Sequence, residues 1–152
     1  MDKMKLLVGT IVVLLVASFG IPQKSQAQES KMITLAGYKM KPSVPTSGSG
    51  TATVKLKGDT LSVHGDFENL TNRFSGAYIM VDIRGEGGNQ LFRLKADLND
   101  EQTGGMFKEK KNRFGLSPAE KMLLKKGKLY ITINTFEHQN GEIGSDIPKM
   151  GN

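Results

Sequence analysis

The 152-residue chain has no cysteine, only two histidines and no long apolar run. Each absence removes a class of chemistry. Without thiols there is no disulfide scaffold, no thiolate nucleophile and no lipidated cysteine, so the fold must be held by packing. The histidines, His64 and His138, are read as solvated, one on the outward face of a hairpin and the other in a connector, with nothing in their spacing to bring them onto one metal ion. No serine lies in a Gly-x-Ser-x-Gly elbow, and Gly85-Glu-Gly-Gly has neither a phosphate-loop lysine nor a helix behind it, which leaves it a hairpin loop. The longest apolar run, Leu6 to about Ile21, holds roughly 16 residues against the ~20 needed to cross a bilayer.

That run does carry an address. Lys3 and Lys5 precede it, while Pro22 and Ser25-Gln26-Ala27 follow it. A charged start, an apolar middle and a small-x-small end form an export signal, with cleavage expected after Ala27. The expected location is secreted, periplasmic or cell-surface, with no membrane span after cleavage. Residues 28–152 remain, one domain's worth, and the formal charge falls from +6 to +4 because three lysines and one aspartate leave with residues 1–27. Export makes nucleic acid an unsuitable partner. An excess this modest favours at most an anionic surface or glycan.

Residues 28–49 read as an N-terminal tail with a possible strand at Lys31–Ala36, followed by a Pro/Ser/Gly tether over residues 41–50 that buries nothing. The domain proper is expected over residues 50–147, with 148–152 as a tail. Ala52, Val54 and Leu56 alternate with polar residues, as do Leu61, Val63 and Phe67, which marks two half-buried strands joined at Gly58-Asp59. Residues 77–84 read as a deeper strand antiparallel to one in which Phe92, Leu94, Ala96 and Leu98 share a face. A short strand follows near Met106 and Phe107. Ser117, Pro118 and Glu120 form a capping-box start for a helix of about ten residues, closed by Gly127, with Ala119, Met122 and Leu123 on its inner face. Leu129, Ile131 and Ile133 alternate with Tyr130, Thr132 and Asn134 in the next strand, and Asn140-Gly141 turns into a last one. Seven or eight short strands with one helix indicate an all-β Greek-key sandwich or barrel.

Five stretches, Gly50 to Leu70, Ser75 to Ala77, Gly115 to Glu120, Gly127 to Thr135 and Asn140 to Ile143, are similar in order and spacing to the CHRD domain. That domain is named for chordin and is also found in secreted microbial proteins. The resemblance covers about residues 50–147 and implies an immunoglobulin-like or superoxide-dismutase-like sandwich. Family members commonly carry a His-x-His pair after the Ser-Gly-Ala-like segment and a further histidine in the Leu-Tyr strand. This chain has Tyr78, Met80 and Asn134 there, and Gly144-Ser145 where an Arg-Gly often stands. The resemblance implies a metal or polar site at those histidines; with the imidazoles missing, the three positions are candidate ligand-binding residues that could at best offer a weak, soft metal site.

Two further candidates remain. Lys108, Lys110, Lys111 and Arg113 precede the helix, and Lys121, Lys125, Lys126 and Lys128 lie on and after it, a possible cationic patch for anionic glycan or lipid headgroups and otherwise a solvated face. Asp97 to Thr103 alternates oxygen ligands as calcium loops do, but has Gln102 and Lys108 where the loop glycine and closing glutamate belong. The expectation is an exported, non-enzymatic binding or structural module for an envelope protein or glycan, with no cofactor. The alternatives are a degenerate metal-binding or dismutase-like domain and a binder of anionic surfaces.

Overall fold

The computed structural model describes residues 26–82, 84 and 88–152. The expected leader lies outside these apart from Gln26 and Ala27, as do residues 85–87 of the Gly85 loop. Among the described residues there are ten strands and one α-helix: β1 (Gln28–Ala36), β2 (Ser49–Lys57), β3 (Thr60–Glu68), β4 (Phe74–Val81), β5 (Asn89–Leu94), β6 (Ala96–Leu98), β7 (Gly105–Phe107), β8 (Arg113–Gly115), α1 (Pro118–Lys125), β9 (Leu129–Thr135) and β10 (Ile143–Asp146). The protein is all-β. No helix among the described residues is long and apolar enough to cross a membrane.

The strands form one antiparallel sheet in the order β5-β4-β9-β10-β1-β2-β3-β7-β6, with β8 also on β3. Its two ends, β5 and β6, are consecutive in sequence and separated by Lys95 alone, so the sheet curls until its ends meet and is nearly closed into a barrel. Alternation fills the interior: Val54, Leu61, Val63, Ile79, Ile131 and Ile133 are all fully buried. Each such side chain contributes about 1.5–3 kcal/mol on leaving water. Gly58 turns the β2–β3 hairpin at φ +59°, a left-handed conformation that suits glycine, and Leu56 faces Leu61 across it.

The meeting of β5 and β6 is held by one side chain. Asn112 is fully buried; its Oδ1 accepts from the Lys95 N–H at 2.7 Å, and its Nδ2 donates to the Lys95 and Lys108 carbonyls at 2.9 and 3.0 Å. Its own carbonyl accepts from the Val63 N–H at 3.0 Å. On the edge of β3, β7 pairs with Gly65–Phe67 and β8 with Thr60–Ser62, so Asn112 fills the gap between them.

Four expectations about the strands and tails change. The stretch read as a tail is structural, because β1 pairs with β2 over nine residues and with β10 at Ala36–Gly144, placing it in the middle of the sheet. The tether is not free of burial either: Gly48 is buried, and the Val44 N–H donates to the Gly37 carbonyl. At the other terminus Met150 is fully buried, and the Gly151 N–H bonds Glu29 at 2.9 Å, so residues 148–152 dock on the barrel. The strand expected through Leu98 breaks at Lys95 because its halves pair with opposite ends of the sheet, and Leu98 is left partly exposed.

Helix α1 begins as its sequence dictates, with the capping box between Ser117 and Glu120 formed and Pro118 in the first turn. Gly127 follows at φ +68°. The buried residue is Leu124, while Met122 is 51% exposed. Lys121 reaches Asp59 in the β2–β3 turn at 2.6 Å, and Leu124, three residues on and so on the same side, faces inward; of the expected stripe Leu123 packs half-buried against the core, while Ala119 and Met122 are exposed.

Candidate ligand groove

Strands β4 and β9 send Ala77, Ile79 and Val81, and Leu129, Ile131 and Ile133, into the core. The residues between them therefore stand on the outer face. The strand register arranges these in three rungs. Gly76 lies beside Asn134; Tyr78 beside Thr132 and Gly144; Met80 beside Tyr130 and Asp146. All three candidate ligand-binding residues, Tyr78, Met80 and Asn134, line one groove of about 920 Å³ over these strands.

Missing side chains shape its floor. The Tyr78 ring lies along the sheet over Gly76, where an added Cβ would stand 2.4 Å from the phenol oxygen. Met40 lies over Gly141 and Gly144; Cβ atoms there would come to 2.4 Å from its methyl and 2.7 Å from its sulfur. One wall is the 3-10 turn Gly37–Lys39 with Met40, Lys41 and Pro42 after it, and the opposite wall is Gly88 to Gln90.

Two polar atoms in this floor have no partner. Thr132 is 2% exposed, and its Oγ1 makes no hydrogen bond; Asn134 donates to the Gln139 carbonyl at 2.6 Å, but its buried Oδ1 accepts nothing. A buried polar group without a partner costs about 1–3 kcal/mol, so such atoms mark a place where an incoming group is rewarded. Tyr130 keeps its proton. Burial pushes its phenol above the usual range, a bond from the Gly88 backbone opposes this, and the nearby Asp82 and Asp146 carboxylates push it up again. The phenol is thus a hydrogen-bond donor throughout the neutral range. Lys39 reaches Ser145 Oγ at 3.3 Å, and Lys41 stands 3.9 Å from Asp146.

The family model of the CHRD domain matches residues 31–147. This chain belongs to the CHRD domain family. No curated protein and no solved structure matches it. Membership fits a non-enzymatic binding or structural module. The match begins within β1, in keeping with that strand's place at the middle of the sheet.

The other candidate residues of this CHRD domain lie elsewhere. Asp97 takes both Lys108, at 2.7 Å, and Lys111, whose hydrogen bonds and charges hold its carboxyl down at about 2. Lys121 is paired with Asp59. Of the eight basic residues, Lys110, Arg113, Lys125, Lys126 and Lys128 are therefore the ones without an ion pair among the described residues. Asn99 Oδ1 accepts from the Thr103 and Gly104 N–H groups, so the calcium-like stretch is a turn bonded to itself. His64 stands on β3, 3.7 Å from Glu109, and His138 in the β9–β10 turn, with three strands between their own in the sheet. No three His, Cys, Asp or Glu side chains among the described residues come together in a way that could hold a metal ion.

Sequence reasoning missed Tyr130 as a groove residue, although its alternation with Thr132 and Asn134 already put it on their face. It also missed Glu142, which reads as a turn residue. That carboxylate is fully buried: Oε1 accepts from the Thr46 hydroxyl and from the Thr71 N–H at 2.7 Å, while Oε2 has no bond of standard geometry. Burial alone would raise its pKa. The bonds from Thr46 and the Thr71 backbone, with the Thr135 and Thr71 hydroxyls nearby, outweigh that and hold it below the ordinary glutamate value.

Proposed function

We propose that this CHRD domain is an exported, non-enzymatic binding module of the periplasm or cell surface, and that its ligand occupies the groove over β4, β9 and β10. The observation that carries the reading is the pair of buried, unpartnered atoms, Thr132 Oγ1 and Asn134 Oδ1, at the groove floor. The volume lies within the roughly 300–1,000 Å³ of ordinary ligand sites.

Sedimentation of the mature domain with washed envelopes of the source cell tests this. The wild type pellets with the envelopes, and a Tyr78→Ala/Tyr130→Ala double variant falls at least tenfold in retention while keeping its far-ultraviolet spectrum. Retention that is unchanged in this variant but lost in Lys125→Glu/Lys126→Glu overturns the groove and favours the basic face. Export rests on the residue 1–27 pattern, with β1 beginning at Gln28 directly after the expected cut. Intact-mass measurement of the native protein is expected to place its first residue at Gln28. A chain that retains residues 1–27 contradicts the leader reading.

A further inference from the structure

The chemistry around the groove narrows the class of ligand, given that the groove is the binding site. Its charges are already balanced. Two lysines, Lys39 and Lys41, and two aspartates, Asp82 and Asp146, line it, so its formal charges cancel, and Lys41 is turned toward Asp146. An anionic ligand would meet those carboxylates, and a cationic one would meet the lysines. What exceeds this balance is neutral: five side-chain amides, from Asn89, Gln90, Asn134, Gln139 and Asn140, and the phenols of Tyr78 and Tyr130.

An amide presents a donor and an acceptor side by side. The ligand that meets many such pairs without charge is one whose own groups both donate and accept, which is a run of hydroxyls. The Tyr78 ring, lying along the sheet over Gly76 with no side chain beneath it, adds a flat apolar surface. A pyranose has both parts, a C–H face to lie on an aromatic ring and hydroxyls around its rim. At the middle of the groove floor β4 and β9 are each paired on both sides, so neither offers a backbone edge there to a peptide strand. Thr132 Oγ1 and Asn134 Oδ1 supply the buried partners for one hydroxyl each.

We infer that the groove binds a neutral saccharide, its ring against Tyr78 and its hydroxyls on Thr132, Asn134 and the rim amides, with room for more than one sugar unit. The same chemistry is offered by an envelope polysaccharide and by the glycan of a glycoprotein.

The test uses the mature domain and immobilised trisaccharides of glucose, galactose, mannose and N-acetylglucosamine, alongside sulfated and uronic acid trisaccharides. At least one neutral series is retained, and the retention persists in molar salt. Thr132→Val lowers that affinity about tenfold, yet raises the melting temperature, because it removes a buried hydroxyl that has no partner in the free protein. A merely structural threonine would not lose binding and gain stability together. Comparison of free polysaccharide with the glycoprotein glycan as competitors assigns the source. Binding confined to the acidic sugars overturns the inference. So does a domain that binds no neutral series while its Tyr78→Ala/Tyr130→Ala variant still leaves the envelope, and that result spares the groove itself. Loss of envelope dependence on the groove as well removes both.

Discussion

Replacing Glu142 by alanine is expected to lower the stability of the domain by about 4 kcal/mol, roughly 15 °C in melting temperature for a domain of this size. The carboxylate is the acceptor for the Thr46 hydroxyl and the Thr71 N–H, and Thr46 Oγ1 also accepts from the Gly48 N–H at 2.8 Å. Alanine leaves the Thr46 hydroxyl and the Thr71 N–H without this acceptor and opens a cavity beside them. Glu142→Gln keeps the volume and one acceptor, so it costs less, on the order of 1–2 kcal/mol.

The acid dependence has a definite sign. The folded carboxyl titrates below its ordinary value of 4.5. Its charge therefore contributes stability that is fully present above the unfolded value and is lost as pH falls through the folded one. The gap between wild type and Glu142→Gln, measured by urea unfolding, is widest at pH 7 and narrows below about pH 4.5. A gap that stays constant from pH 7 to pH 3 would show that the carboxylate is not held ionised by these bonds.

Asn112→Ala is the second large effect, about 3 kcal/mol. Its side chain makes three bonds to backbone groups at the place where the sheet comes round on itself, and alanine supplies none of them. Asn112→Asp is expected to be at least as damaging at neutral pH, since a carboxylate oxygen would face the Lys95 and Lys108 carbonyls where Nδ2 now donates. Amide exchange gives a second readout: the Lys95 N–H, protected in the wild type, exchanges rapidly in Asn112→Ala. Wild-type stability in both variants would mean that the seam is held by packing alone.

Much of this architecture could be read from local pattern. Period-two alternation located the strands around Val54, Val63 and Ile131, and the Ser117–Glu120 capping box located α1, because each is fixed by residues close in sequence. What escaped was decided by partners far away. Nothing in residues 28–36 says whether that strand lies at an edge or in the middle. Glu142 sits in a turn signal and becomes a buried charge only because Thr46 and Thr71 are brought to it. Of the inner face expected for α1, Leu123 packs on the core while Ala119 and Met122 stand exposed, because Leu124, one position further round, takes the buried place.

The groove was half legible. Tyr78, Met80 and Asn134 stand together because they lie on neighbouring strands in register, on the same face. The wall formed by Lys39 to Pro42 was not, since it comes from a stretch whose composition suggested a tether. Its role depends on Gly141 and Gly144 leaving space for Met40, a relation between residues about a hundred positions apart.

The place of β1 bears on how the chain is assembled in time. Its neighbours are the strand that follows it and the strand made last, since Ala36 pairs with Gly144. During synthesis β1 and β2 can associate early, but β1 keeps one open edge until residue 146 has been made. Contacts of such long sequence separation fold slowly, because the chain entropy of closing the loop is lost before they form. A newly made chain thus completes its sheet only once its far end is available.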